Sequence, residues 1–363
     1  MTKRLQLKLN KKIGSTALFF YVKFSILLTF YFKDTIINIV ILKERNMLKP
    51  IKLNPVFKEI IWGGNRLKNE FNKKSELNNI AESWELTVRP DGMNTILGGE
   101  FDGVTMEEYI RVNGECVISN ENQPFFPLLI KFIDAEDNLS VQVHPDDEYG
   151  LKNANSLGKT EMWYIIDAKP GAQLVYGLKE GVSNDEFAQA IKDGKVEEKL
   201  NYVNVKKGDV FFIPSGLVHA IGAGILLAEI QQNSNITYRV YDYNRIGKDG
   251  KPRELHVNDA LNVIVNRTQE EIEKIQFSTN VKNTHTLASC AYFNVEKHDI
   301  NGTLTAFTDE NSFASLLCLD GKGAIIYNNE EYALTKGDSY FIPACLGEFK
   351  ILGDLEIIVS KIK

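Results

Sequence analysis

Residues 207–219 read K-G-D-V-F-F-I-P-S-G-L-V-H, and residues 336–348 read K-G-D-S-Y-F-I-P-A-C-L-G-E. Seven positions match without a gap: Lys, Gly, Asp, Phe, Ile, Pro and Leu. A Gly-Asp pair makes a tight turn into an apolar strand, and a proline stops that strand at a loop. Two copies of such a unit predict two similar β-barrels. The copies differ at the position where chemistry would sit. The first ends on His219, the second carries Glu348 there, and the segment upstream of the second, Gly321–Asn329, has no histidine. The second barrel is therefore expected to lack a metal site.

Around these units, strand-like runs dominate from residue 82 onward: 83–88, 128–133, 139–143, 161–166, 210–213, 225–231 and 324–327. They are short, rich in β-branched and aromatic residues, and bounded by Gly, Pro, Asn or Asp. Three segments are predicted as helices. In 105–112, Thr105 and Glu108 form a capping-box pattern. In 183–200, Ser183 or Asn184 caps an apolar face of Phe187, Ile191 and Ala190. In 257–265, Asn258 or Asp259 precedes an Ala/Leu/Ile/Val run.

The chain has five histidines, His144, His219, His256, His285 and His298. His144 lies in V-Q-V-H-P, residues 141–145, and residues two apart on a strand share a face. Gln142 and His144 should therefore project together, away from Val141 and Val143. In G-K-T-E-M-W-Y, residues 158–164, the same rule puts Lys159 and Glu161 on one face and Thr160 and Met162 on the other. A lone histidine beside a proline is ordinarily a loop or core residue, and a lone glutamate ordinarily half of an ion pair. Together with His219, however, these residues offer two imidazole nitrogens, a carboxylate and an amide oxygen. Such a set suits zinc or another first-row divalent ion and not a soft thiolate site. With one anionic ligand, the site keeps a formal charge of about +1 and stays a Lewis acid toward a substrate oxygen. His256, His285 and His298 have no comparable neighbours and read as ordinary histidines.

Downstream, residues 228–245 read A-E-I-Q-Q-N-S-N-I-T-Y-R-V-Y-D-Y-N-R. A solvated hairpin turning at Asn233–Asn235 would explain the polarity. Ile230 and Val240 nevertheless alternate with polar residues, as barrel strands do when one face lines a polar cavity. An inward Arg239 would be costly without an anion. A substrate phosphate or a developing oxyanion would supply one, and the planar guanidinium fork suits either.

Composition sets the outer bounds. The 363 residues are 44% hydrophobic and 25% charged, with a net charge of −6. That is ordinary globular composition, with room for about two domains. Residues 1–46 hold nine Lys/Arg against two Asp/Glu, a net of +7, which leaves −13 for residues 47–363. An acidic body is not a nucleic-acid binder, and any anionic substrate must be caught by a few local cations. The four cysteines, Cys116, Cys290, Cys318 and Cys345, form no C-x-x-C pair. Free thiols in a reducing, cytoplasmic compartment are expected.

The first 46 residues open with Lys3, Arg4, Lys8, Lys11 and Lys12, followed by apolar runs over 16–32, broken by Lys23, and over 35–42. Neither run reaches the ~20 residues a membrane span needs. No A-x-A-like cleavage site follows. The bias toward Lys, Ile, Phe, Tyr, Leu and Asn is what translated A/T-rich non-coding DNA gives. An over-extended start ahead of Met47 is expected, in preference to a membrane-surface anchor or a cleaved signal.

Taken together, I-I-W-G-G (60–64), E-S-W-E-L (82–86), Q-V-H-P-D-D (142–147), G-K-T-E-M-W-Y (158–164), G-D-V-F-F-I-P-S-G-L-V-H-A-I-G (208–222) and Y-R-V-Y-D-Y-N-R (238–245) resemble one family. It is the type I mannose-6-phosphate isomerases, or phosphomannose isomerases, of the cupin superfamily, in their short bacterial form. The resemblance runs from about Met47 to Lys363. It implies a mainly β chain of two cupin-type jelly-roll β-barrels with a few short helices. The expected division is an extension over 1–46, a catalytic metal-binding domain over 47–270 with a small helical insertion, and a cupin-like domain without a metal site over 271–363.

The resemblance also implies one zinc ion per chain, held by Gln142, His144, Glu161 and His219. It implies Arg239 as the active-site arginine, with Lys159 and Glu229 lining the pocket. The implied reaction is interconversion of D-mannose 6-phosphate and D-fructose 6-phosphate through a metal-stabilised enediol. Glu229 and Lys159 are the general-base candidates, and the motifs assign the substrate phosphate to none of Lys152, Lys159 and Arg245. The family's longer members carry a large helical insert, for which only 183–200 could substitute here. The partner is a small-molecule sugar phosphate, with no nucleic acid and no stable membrane insertion, and a monomer is expected. The alternative is a non-catalytic sugar- or metal-binding cupin module, which would favour apolar residues at 159, 229 and 239. An iron dioxygenase would want three histidines, and no nucleotidyltransferase domain is present for a bifunctional enzyme.

Overall fold

The computed structural model describes residues 48–121, 125–247, 250–268 and 286–363, together with 270, 271, 274 and an antiparallel strand pair at 26–28 and 39–41. Apart from that pair, the expectation for residues 1–46 lies outside the described residues, as does the one for His285. Residues 49–363 form one compact unit.

That unit is mainly β. Besides a short antiparallel pair at Val88–Arg89 and Gly92–Met93, its strands are β1 (Ile51–Asn54), β2 (Val56–Lys58), β3 (Glu82–Leu86), β4 (Thr95–Ile96), β5 (Leu128–Ala135), β6 (Val141–Val143), β7 (Glu161–Ala168), β8 (Gln173–Leu178), β9 (Leu200–Asn204), β10 (Val210–Ile213), β11 (His219–Ile221), β12 (Ile225–Gln232) and β13 (Tyr238–Tyr241). After these come β14 (Thr286–Ser289), β15 (Phe293–Thr308), β16 (Ala314–Tyr327), β17 (Glu330–Thr335), β18 (Ser339–Ile342) and β19 (Gly347–Ile362). A six-stranded sheet runs β10-β7-β12-β5-β3-β2, and a five-stranded sheet runs β9-β8-β11-β6-β13. Trp163, Ile165, Ile213 and Leu227 of the first sheet share one core with Leu174, Tyr176 and Ile221 of the second. On the other face of the five-stranded sheet, Val141, Val143, Val218 and Ala220 pack with Phe187, Ala260 and Val263 from two helices. Valines that face helices leave Gln142 between them facing the sandwich interior, as strand alternation requires.

The repeated motif is built the same way twice. Gly208 and Gly337 both take φ +88°, a conformation that costs glycine little. Asp209 then accepts the Lys206 N–H at 2.9 Å, and Asp338 accepts the Thr335 N–H at 2.9 Å. A four-residue strand follows each turn, β10 in one case and β18 in the other.

Several expectations are corrected. The sheet that follows residue 286 also takes in strands from the start of the unit: β1 pairs with β18 and β4 with β1, so residues 51–54 and 95–96 complete the sheet β14-β15-β19-β16-β18-β1-β4, with β17 on β16. Strands thus begin well before residue 82, and an edge that β18 would leave open is covered. The segment 183–200 is not one helix. It is a helix over Asn184–Lys192, a turn at Asp193–Gly194, a 3₁₀ turn over Val196–Lys199, and then the start of β9. The full capping box is at Ser183 and Glu186. Thr105 accepts the Glu108 N–H at 3.2 Å, but the Glu108 carboxylate turns to Arg111. The helix Val257–Val263 begins before Asn258, and Asp259 within it accepts the Tyr149 hydroxyl at 3.1 Å. Among the described residues, no helix is long and apolar enough to cross a membrane.

Candidate metal centre and active site

Three side chains meet inside the sandwich. His144 follows β6, Glu161 opens β7 in the facing sheet, and His219 opens β11. All three are buried, and one ligand atom from each lies within 4.8 Å of the others. His144 Nε2 is 3.1 Å from Glu161 Oε1. His219 Nδ1 is 2.9 Å from the Leu217 carbonyl, which can only accept. The proton therefore sits on Nδ1, and Nε2 presents its lone pair inward. Burial pushes His219 down to about 4. Burial, with the Lys159 charge and His219 beside it, pushes His144 well below the usual imidazole range. Two neutral imidazoles beside a carboxylate form a donor set that suits zinc.

Lys159 reaches into this cluster. Its ammonium is 3.1 Å from His144 Nε2 and touches Glu161 Oε1. The amine thus lies against two of the three donors, and burial pushes its pKa down to about 7. Gln142 also reaches the cluster, with its amide nitrogen 3.4 Å from His219 Nε2 and its oxygen 3.4 Å from Ser140 Oγ. A half-turn of the amide would offer the oxygen to a metal and the N–H to the Ser140 hydroxyl, in the same volume.

Beside the cluster opens a cavity of about 330 Å³ lined by Gln142, Lys159, Glu229 and Arg239, and also by Glu82, Lys131, Ser140 and Arg253. Arg239 donates to Ser140 Oγ at 3.1 Å and to the Glu254 carbonyl at 2.9 Å, both neutral acceptors. Arg253 lies on the same wall and pairs with Asp242. Burial would raise the Glu229 carboxyl. The charges of Lys131 and Lys159, with bonds from Lys131 and Trp163, outweigh burial and hold it below the usual carboxylate range.

The sequence-predicted residues Gln142, His144, Lys159, Glu161, His219, Glu229 and Arg239 are therefore brought to one site. Arg245 is not among the cavity-lining residues, being bound to Asp242 and the Asn138 carbonyl. Lys152 is exposed on the helix Asp147–Ala154. His256, read as ordinary, accepts the Arg239 backbone N–H at 3.4 Å, and its own N–H donates to the Arg239 carbonyl at 2.7 Å. It therefore fixes the strand that presents the arginine.

Sequence reasoning missed Lys131, Glu82 and Arg253. Lys131 interrupts an apolar run, L-L-I-K-F-I, and a charge inside a fully buried strand was the available signal. The D-D of Q-V-H-P-D-D also has a structural task. Asp147 accepts from Gly158 N–H at 2.8 Å, Gln232 Nε2 at 2.9 Å and the Tyr292 hydroxyl at 2.9 Å, and so pins the loop that carries Lys159.

Comparison with known proteins agrees with this geometry. Residues 51–173 match the family model for the catalytic domain of type I phosphomannose isomerase. Residues 283–362 match that for the cupin domain of mannose-6-phosphate isomerase. The chain is 38% identical over 314 residues to mannose-6-phosphate isomerase of Streptococcus mutans, across 86% of this chain and 98% of that one. It is 39% identical over 320 residues to mannose-6-phosphate isomerase ManA of Bacillus subtilis, across 86% and 98%. The crystal structure of the mannose 6-phosphate isomerase from Bacillus subtilis superposes with a TM-score of 0.77 at 37% identity, covering 86% of this chain and 99% of that one. With its cupin fold and these matches, the chain belongs to the type I phosphomannose isomerases.

Proposed function

We propose that the chain interconverts D-mannose 6-phosphate and D-fructose 6-phosphate through an enediol, with one zinc ion per chain. His144, Glu161 and His219 would hold the ion, with Gln142 joining through its amide oxygen. What supports this most is the convergence of those donor atoms within 4.8 Å beside a cavity that also presents Arg239. A divalent ion held by these residues would supply Lewis-acid stabilisation to an oxygen that turns negative as the proton moves between C1 and C2.

The remaining steps fall to the chain's own side chains. Arg239, whose partners are neutral, keeps its charge for an anion. With Arg253 beside it, it is assigned to the anionic end of the substrate or to the developing oxyanion. Lys159 and Glu229 face the cavity and are assigned the proton transfer. Lys131 and Trp163 hold Glu229 in place. Apolar walls from Trp62, Leu139 and Ile221 limit the water around the reacting carbons. The chain is expected to act as a monomer in the cytoplasm.

The test is conversion of mannose 6-phosphate to fructose 6-phosphate by the purified chain, with and without a chelator. Turnover that stops on chelation and returns with zinc is expected. Metal binding without turnover would favour a non-catalytic binding module.

A further inference from the structure

Trp163 is fully buried, two residues along β7 from Glu161 and on the same face. It is also the register partner of Glu229 on β12. Its indole N–H lies 3.0 Å from Glu161 Oε2 and 3.0 Å from Glu229 Oε1. Its ring meets the His219 imidazole edge-on, with centroids 5.4 Å apart and planes at 73°. One side chain therefore touches two of the three clustered donors and a carboxylate that lines the cavity.

An indole has a single donor and no acceptor. A bulky apolar residue would fill this space as well, so packing alone does not call for an N–H between two buried carboxylates. The bond has a directional consequence. It reserves Oε2 of Glu161 and leaves Oε1 turned toward His144 Nε2, 3.1 Å away, and the Lys159 amine. It also fixes Oε1 of Glu229, while the Lys131 ammonium lies 2.9 Å from Oε2.

We propose that Trp163 is a positioning residue that ties the metal-binding carboxylate to the cavity carboxylate through one shared N–H. It presents a single oxygen of Glu161 to the ion and holds Glu229 in its working orientation. This rests on the metal-dependent reaction proposed above and goes beyond it in assigning the indole a task. Outer partners that orient metal ligands are commonly worth about 10- to 100-fold in affinity or activity.

The test compares the wild-type chain with Trp163→Phe, which keeps an aromatic ring and deletes the donor. Zinc affinity is measured by chelator competition, the visible spectrum is recorded with cobalt(II) in place of zinc, and kcat and KM are measured separately. The expected result is zinc binding weakened by about tenfold or more, an altered cobalt spectrum, and a fall in kcat with KM little changed. Zinc affinity within about twofold of wild type, with an unchanged cobalt spectrum, would overturn the proposal. Should the phenylalanine variant not fold, benzothienylalanine at position 163 decides on the same two criteria, because sulfur replaces the N–H in a ring of the same shape. Absence of metal or turnover in the wild-type chain would instead refute the underlying reaction.

Discussion

Lys131 and Glu229 are register partners on adjacent strands, and their buried side chains form an ion pair of 2.9 Å inside the sandwich. Glu82 stands 3.6 Å from the same ammonium. One cation thus balances two carboxylates that line the cavity. Removing one member of a buried pair costs about 3–5 kcal/mol, because its partner's charge is left uncompensated. Lys131→Met should lower stability by that order in urea unfolding. The double variant Lys131→Met with Glu229→Gln should recover part of the loss while remaining inactive.

Arg239 is expected to serve the reaction and not the metal. It contacts Ser140 and the Glu254 carbonyl, and its strand is held by His256. Arg239→Ala should lower kcat/KM by roughly 100-fold or more, with zinc content near that of the wild type. Arg239→Lys should rescue little, because an ammonium lacks the planar fork. Kinetics together with metal analysis of both variants check this, and loss of zinc from Arg239→Ala would make the arginine a structural residue.

The loop before Glu161 leaves no room for a side chain at Gly158. A Cβ there would stand 2.4 Å from the Asp146 carbonyl carbon and 2.6 Å from the Asp147 nitrogen, both backbone atoms. The loop must shift, and Lys159 and Glu161 follow directly after it. Gly158→Ala should cost about 1–3 kcal/mol, as overpacking does, and should weaken zinc binding measurably. Unfolding curves and chelator competition on the same preparation test both effects.

Asp134 gives a stability effect with a defined pH window. Burial pushes its carboxyl up from 3.8 to about 6, against a bond from the Arg66 N–H and the Arg66 charge. Between about pH 4 and 6 the native state keeps a proton that the unfolded chain has lost, so native stability falls as pH rises through that window. Above it, the full cost of at most about 3 kcal/mol is carried. Asp134→Asn keeps an oxygen for the Arg66 N–H and cannot ionise. Its stability relative to wild type should therefore rise between pH 4 and 7 in urea titrations. A constant difference across that range would show that Asp134 does not titrate as described.

The candidate donors were legible in the sequence one motif at a time, because each motif is local. Spacing of two along a strand placed Gln142 with His144 and Lys159 with Glu161, and the Gly-Asp turn led straight to His219. What was not legible depends on register between distant segments. Nothing in L-L-I-K-F-I says that Lys131 will face Glu229, and nothing in E-M-W-Y says that the Trp163 indole will reach it. Nor does I-K-L-N at 51–54 announce that it joins a sheet built mostly from residues after 286. The single helix expected over 183–200 failed for a local reason, since Asp193–Gly194 turns the chain and Leu200 already belongs to a strand.

The metal content of freshly purified chain tests the central claim most directly. One equivalent of zinc per chain is predicted, lost together with mannose 6-phosphate isomerisation on chelation and regained with it when zinc is returned. Full-rate isomerisation by protein carrying no transition metal would contradict the account.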